Sequence, residues 1–224
     1  MRKAPAALLL TICTGCLLPR STPLGSAAFS RGHWSTRFGA AGHQLTGESI
    51  MGFTALATYG FTQVFGLNAR AWWSEAGVPD SSAYYREFET GCDLVLRMPP
   101  DKGHGLRNSL AFYLGVGVNS VYWRNFFQDE ATLKDVVTGY GRLGLQGCVG
   151  VGGAVFLEPY IDWTGNSFWP VVITIGLNVM VPVSRAPEGG DVKAAVYFGA
   201  SRSTVADTEM EHDWIATVGF LLEW

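Results

Sequence analysis

Through most of this chain every second residue is apolar, and the charges fall on the residues in between. From Tyr85 to Met98, Phe88, Thr90, Cys92, Leu94, Leu96 and Met98 share one parity, and Glu89, Asp93 and Arg97 share the other. From Val155 to Trp163, Val155, Leu157, Pro159, Ile161 and Trp163 stand against Glu158 and Asp162. A period of two is that of a β-strand with unlike faces. The same pattern runs through Leu110–Trp123, Val137–Val149, Trp169–Val181 and Val192–Ser201. Between these segments lie turn-forming stretches such as Pro99–Gly103, Gly152–Gly153, Thr164–Ser167 and Pro187–Gly190.

The last such segment is Asp213–Trp224, with Trp214, Ala216, Val218, Phe220, Leu222 and Trp224 on one face. An apolar terminal strand at an open sheet edge invites pairing with other chains, whereas a closed barrel pairs its last strand with its first. Earlier, odd positions from Met51 to Trp73, Gln63 apart, are apolar over a length beyond one membrane crossing. Only its second half, about Gln63 to Trp73, is therefore assigned as the first strand. Ile50 to Thr62 could equally be a short helix starting near Thr46 or Ser49, and residues 29–49 read as a flexible leader. The expected fold is all-β, an eight-stranded antiparallel up-and-down transmembrane β-barrel over residues 63–224, after a leader of uncertain structure at 29–62.

Composition agrees with that class. Only 16% of the 224 residues are charged, 13% are aromatic and 28 are glycine, against about 25% charged in an ordinary soluble domain. Beyond residue 30 there is no uninterrupted apolar run long enough for a transmembrane helix, so any crossing is by strands. Residues 1–28 have a basic start, Arg2-Lys3, an apolar centre from Ala4 to Leu18 and small residues Ser26-Ala27-Ala28, as a secretory signal peptide does. A lipidation site at Cys16 is the competing reading. Removing the segment takes away Arg2, Lys3 and Arg20 and no acid, so the remainder is more acidic than the −3 of the full chain and unsuited to nucleic acid. Cys92 and Cys148 fall on non-adjacent strands with opposite facing, and no disulfide is expected between them.

The polarity of the two faces decides what kind of barrel this is. A soluble barrel would turn its charges outward; here the residues given for the apolar face include no charge, which is what lipid demands, since a charge facing the bilayer middle costs about 2–4 kcal/mol. Arg70, Glu89, Asp93, Arg97, Arg142, Glu158, Asp162 and Lys193 are therefore expected to line the lumen, with Glu223 near its end. Acids and bases there nearly balance, so they read either as a solute path or as structural ion pairs filling a narrow interior. Alternating strand direction places Trp72, Trp73, Trp123, Trp163, Trp169 and Trp214 at one rim, as an interfacial aromatic girdle.

The tail resembles the carboxyl-terminal sorting signal of outer-membrane barrels, carried by Thr217, Gly219, Leu222 and Trp224. With the expected strand count and short turns, the chain resembles the small outer-membrane barrels of the OmpW, OmpX and OmpA transmembrane type, the OmpW-like kind slightly favoured. That resemblance implies an integral protein of the cell outer membrane, with membrane lipid and the barrel assembly machinery as partners. An OmpW-like relation would imply a narrow channel for small hydrophobic molecules. The alternative is a non-conducting structural or adhesin-like barrel acting on external ligands through outer loops near Ser74–Ala83, Arg124–Lys134 and Arg202–Glu211. Neither cofactor nor metal is expected, because His33, His43, His104 and His212 are scattered without ligand spacing. His212 with Ser201 or Ser203 would be the acid/base and nucleophile of a lipid-acting barrel enzyme, but nothing else around them has that pattern, and no enzymatic activity is expected.

Overall fold

The computed structural model describes residues 31–45, 48–77, 84–98, 108–124, 136–151, 155–166, 169–185, 192–205 and 213–223. Residues 1–28, expected to be a signal peptide, as well as His212 and Trp224, lie outside them. Ten antiparallel strands close on themselves: β1 (Trp34–Leu45), β2 (Glu48–Gly60), β3 (Phe65–Gly77), β4 (Tyr84–Met98), β5 (Asn108–Arg124), β6 (Val136–Val151), β7 (Val155–Asn166), β8 (Trp169–Arg185), β9 (Val192–Val205) and β10 (Asp213–Glu223). Each pairs with its sequence neighbours, and β10 returns to β1 in register from Ser35↔Glu223 to His43↔Ile215. No helix among the described residues is long and apolar enough to cross a membrane.

The expected count of eight is corrected to ten, and the difference is the segment taken for a leader. The long alternation from Ile50 to Trp73 holds two strands, broken by a turn at Phe61–Val64. There the Thr62 hydroxyl accepts the Val64 and Phe65 amides at 3.1 and 2.8 Å, and the Thr62 amide donates to the Phe65 carbonyl at 3.1 Å. The helix considered for residues 50–62 is β2. Strand β1 went unread because its outward positions include Thr36, Ala40 and Gly42, too small or polar to give a clear apolar parity. The last strand does pair with the first, and that first strand is β1.

The facing follows the sequence pattern. Along β5, Leu110, Phe112, Leu114, Val116 and Val118 point outward, Leu114 and Val116 more than 60% exposed at 63% and 62%. Five such positions span about 26 Å of strand. The interior is layered. At the end that carries both termini, Val95, Tyr113, Phe156, Met180, Tyr197 and Leu221 form an apolar layer. Toward the opposite end Ala41, Trp72 and Ile215 form a smaller apolar cluster, and most of the buried charges lie between, with Arg97 and Glu87 toward the two ends. Cys92 faces outward from β4 while Cys148 is buried inside β6, with β5 between them.

Closure depends on two glycines. Gly39 of β1 and Gly219 of β10 are direct partners, and Tyr197 of β9 lies across both. A Cβ on Gly39 would meet the Tyr197 hydroxyl and the Gly219 Cα at 2.9 Å, and one on Gly219 would meet the Gly39 Cα at 2.7 Å. Gly42, on the same strand but facing outward, would meet nothing nearer than the Met51 sulfur at 3.7 Å. Gly39→Ala and Gly219→Ala are expected to destabilise the barrel by about 1–3 kcal/mol through overpacking, and Gly42→Ala to be close to neutral. Urea titration of the detergent-folded protein, followed by tryptophan fluorescence, reads the difference. Equal midpoints for all three variants would contradict the seam geometry.

Candidate functional site

Alternation places one inward side chain every two residues on each strand, so the charged middle layer is assembled from β1, β3, β4, β6 and β7, of which β3–β4 and β6–β7 are direct neighbours and the rest meet across the lumen. Arg37 of β1 donates from both terminal nitrogens to Glu158 of β7, at 2.6 and 2.7 Å. In ring order these strands are four places apart, so this two-point pair crosses the barrel interior. The Arg37 guanidinium also sits 5.7 Å from the centre of the Tyr197 ring. Charge-assisted pairs with both prongs engaged fix geometry as well as adding strength.

A second group runs through the other side. Arg70 of β3 donates to Asp93 and, at 2.7 Å, to the Tyr140 hydroxyl, which in turn donates to Glu89. The Arg70 Nε also lies 3.6 Å from Glu89. Asp93 is shared: its other oxygen is 3.9 Å from Arg142, whose Nε and Nη2 reach Asp162 at 3.0 and 2.9 Å. The result is one continuous chain, Glu89–Tyr140–Arg70–Asp93–Arg142–Asp162, over β3, β4, β6 and β7. Glycine on the neighbouring strand makes room for its bulkiest members. A Cβ on Gly91 would strike the Arg70 guanidinium carbon at 2.8 Å, and one on Gly115 the Asp93 carboxyl carbon at 2.8 Å. The high glycine content of the strands is therefore, in part, the floor on which the polar layer lies.

Of the residues expected in the lumen, Arg70, Glu89, Asp93, Arg97, Arg142, Glu158 and Asp162 all face inward and are at most 4% exposed. Arg97 stands apart from the chain of pairs: its amide and its Nε bind the carbonyls of Val64 and Gln63, at 2.7 and 3.0 Å, tying down the β2–β3 turn. Lys193 belongs to β9, though its side chain is outside what the structure describes. Two inward charges escaped the sequence reading. Arg37 lay in the supposed leader. Glu87 lies within Tyr85–Met98 and shares the parity of Glu89 and Asp93, but was not among the expected lumen residues; it accepts from Tyr85 and Asn119, both at 3.1 Å.

The girdle needs one correction. Trp72 is 1% exposed and points inward, because it has the opposite parity to Trp73 on the same strand. Trp73 and Trp214 face outward at the end remote from the termini, and Trp163 is half-buried. The side chains of Trp123 and Trp169 are not among those described. A second aromatic group, absent from the sequence reading, occupies the other rim, where Trp34 contacts Tyr59 at 4.8 Å and Tyr59 contacts Phe61 at 5.0 Å. Of the tail residues, Thr217 and Gly219 face inward and Leu222 outward.

For catalysis the arrangement has little to offer among the described residues. Ser201 is buried inside the barrel, and Ser203 shares a 2.9 Å hydrogen bond with Thr174. No group of three or more His, Cys, Asp or Glu side chains there could hold a metal ion.

No family model matches the chain, and no curated protein matches its sequence. Solved structures of similar shape include the β domain of the Bordetella autotransporter BrkA, 12% identical, covering 87% of this chain and 99% of that one with a TM-score of 0.49. Ail, the attachment invasion locus protein of Yersinia pestis, is 14% identical over 87% of this chain and 99% of its own, with a TM-score of 0.40. The translocator domain of the Neisseria meningitidis autotransporter NalP is 15% identical over 97% and 94%, with a TM-score of 0.41.

The cross-lumen pair can be tested by a mutant cycle. Glu158→Ala and Arg37→Met each leave one buried charge without its partner and are each expected to cost about 3–5 kcal/mol, whereas Arg37→Met with Glu158→Leu together should cost less than either single substitution. Chemical unfolding of the detergent-folded variants measures all three.

Proposed function

We propose that this chain is an integral barrel of the bacterial outer membrane whose interior is a sealed structural core and whose work is done at its surface. The observation that carries the reading is the inverted polarity: outward Phe, Leu, Val and Ile around the wall, and a neutralised layer of arginines and carboxylates inside. In water that distribution would expose a large apolar belt and desolvate nine described charges for no gain; in lipid it is the low-energy one. The belt has the right size. About 26 Å of strand, tilted by about 40°, gives a vertical height near 20 Å before side chains are added. Aromatic groups at both rims suit the two membrane–water interfaces. The usual orientation of such barrels sets the end with both termini toward the periplasm.

Sealing is supported by the burial of the ionic layer and by the apolar layers on either side of it. An OmpW-like conduit for hydrophobic molecules would have to pass that layer, and a hydrated ion would have to displace side chains already paired with one another. The solute-path reading is therefore the weaker of the two, and surface interaction the stronger. Outer loops following β3, β5 and β9 would carry it.

Two measurements test this. Purified without detergent, the chain should aggregate or stay with membranes through carbonate extraction; a monodisperse water-soluble particle would sink the membrane placement. In planar bilayers the folded protein should show no stepwise conductance, and Arg97→Ala and Arg142→Ala should leave that trace at baseline. Steady openings altered by either substitution would instead establish a solute path.

A further inference from the structure

Every inward arginine described above has polar partners inside the barrel, but two others are placed differently. Arg86 of β4 and Arg124 of β5 both have outward parity, one above the other end of the apolar belt from the termini. The pairing Arg86↔Tyr122 and Tyr84↔Arg124 makes a checkerboard of two arginines on one diagonal and two tyrosines on the other. Residues on such a diagonal lie about 7–8 Å apart at the backbone, within joint reach of long side chains. The tyrosines meet edge to face at 5.9 Å, and the Arg86 guanidinium stands 5.5 Å over the Tyr122 ring. Glu75 of β3 stands directly opposite Arg86 in register, and its carboxylate accepts from the Tyr84 hydroxyl at 2.6 Å. Directly below, at the next outward position of β4, Phe88 begins the apolar face.

We propose that the Arg86/Arg124 checkerboard is a binding site for the phosphate of a lipid headgroup in the outer leaflet. The inference rests on the membrane placement argued above. Three features select this ligand. Two outward arginines on one diagonal, about 7–8 Å apart at the backbone, have the reach for each to offer parallel N–H donors to one phosphate, a role in which arginine is preferred to lysine. The Tyr122 ring, braced edge to face by Tyr84, holds Arg86 over its face, so less side-chain freedom is lost on binding. The apolar wall immediately beneath continues into the region of acyl chains, so a lipid can engage headgroup and tail at once. A soluble phosphate gains only the first of these contacts. The rim also carries Arg202, 5.3 Å over Trp214, but its neighbours in the sheet, Ile175 and Trp214, provide no second cation.

The experiment uses the full folded chain in phosphatidylcholine nanodiscs containing a minor fraction of bis-phosphorylated lipid A, with retention of lipid A read by native mass spectrometry. Wild type should retain lipid A, and its dephosphorylated form at least about tenfold less. Arg86→Ala with Arg124→Ala should bring the phosphorylated lipid down to that lower level, while Arg31→Ala, an exposed arginine at the opposite rim, should stay within about twofold of wild type. Circular dichroism on each variant confirms a folded barrel, and Arg86→Lys with Arg124→Lys, which keeps the charge but removes the forks, should bind at an intermediate level. Retention that ignores the headgroup phosphate, or that survives the double alanine substitution, would overturn the site. So would full displacement by millimolar inorganic phosphate, which would assign it to the free anion. A chain that never enters the nanodisc would overturn the membrane placement itself, an outcome distinct from insertion without selective retention.

Discussion

The pairing of β1 with β10 is the contact on which the rest depends. A sheet that did not close would leave two rows of backbone amides and carbonyls at its edges, and in hydrocarbon each such group costs several kcal/mol. Closure removes both edges at once. It also makes the inside a true inside, because only a continuous wall separates the charged layer from the apolar exterior. At this seam Gly39 lies opposite Gly219, and the absence of two Cβ atoms lets Tyr197 lie flat over the join. Tyr197 then supports Arg37, and Arg37 reaches across to Glu158. The first and last strands and the electrostatic centre of the barrel are thus joined through a short series of contacts.

What could be read from the sequence was whatever alternation makes explicit. Strands β4 to β10 each carry a strong apolar parity, and their facing follows from it residue by residue. Seven of the eight proposed lumen residues have described side chains, and all seven face the lumen. Strand β1 was illegible for a physical reason: its outward side mixes Trp34 and Phe38 with Thr36, Ala40 and Gly42, so the apolar parity that marks a lipid-facing strand is diluted. Strand β2 had the right parity and was lost only because no Pro or Asn-Gly marks its end; the turn at Phe61–Val64 is built instead on the Thr62 hydroxyl. Trp72 shows the opposite failure. Grouping it with Trp73 by residue type ignored that neighbours in a strand face opposite ways.

Pairings inside the barrel were beyond sequence reasoning even where facing was correct. Arg37 and Glu158 are 121 positions apart in the chain. Nothing in local pattern links them, because they meet across the lumen and are not on adjacent strands. The same holds for Asp93, which serves Arg70 on one side and Arg142 on the other. A balance of charges could be counted in advance; which acid answers which base depends on ring order and therefore on the number of strands.

Strand number and charge balance are in fact one problem. With closure of β3 directly onto β10, as an eight-stranded barrel would require, Arg37 would lie outside the cylinder and Glu158 would sit desolvated without its two-point partner. A buried carboxylate in that position is strongly destabilising. The two added strands supply the missing cation and widen the interior, and the width is filled by the same side chains that bring the charge: Arg37 with Tyr197 on one side, Arg70 with Tyr140 on the other. Ten strands are thus the count at which the inward charges of this sequence find partners.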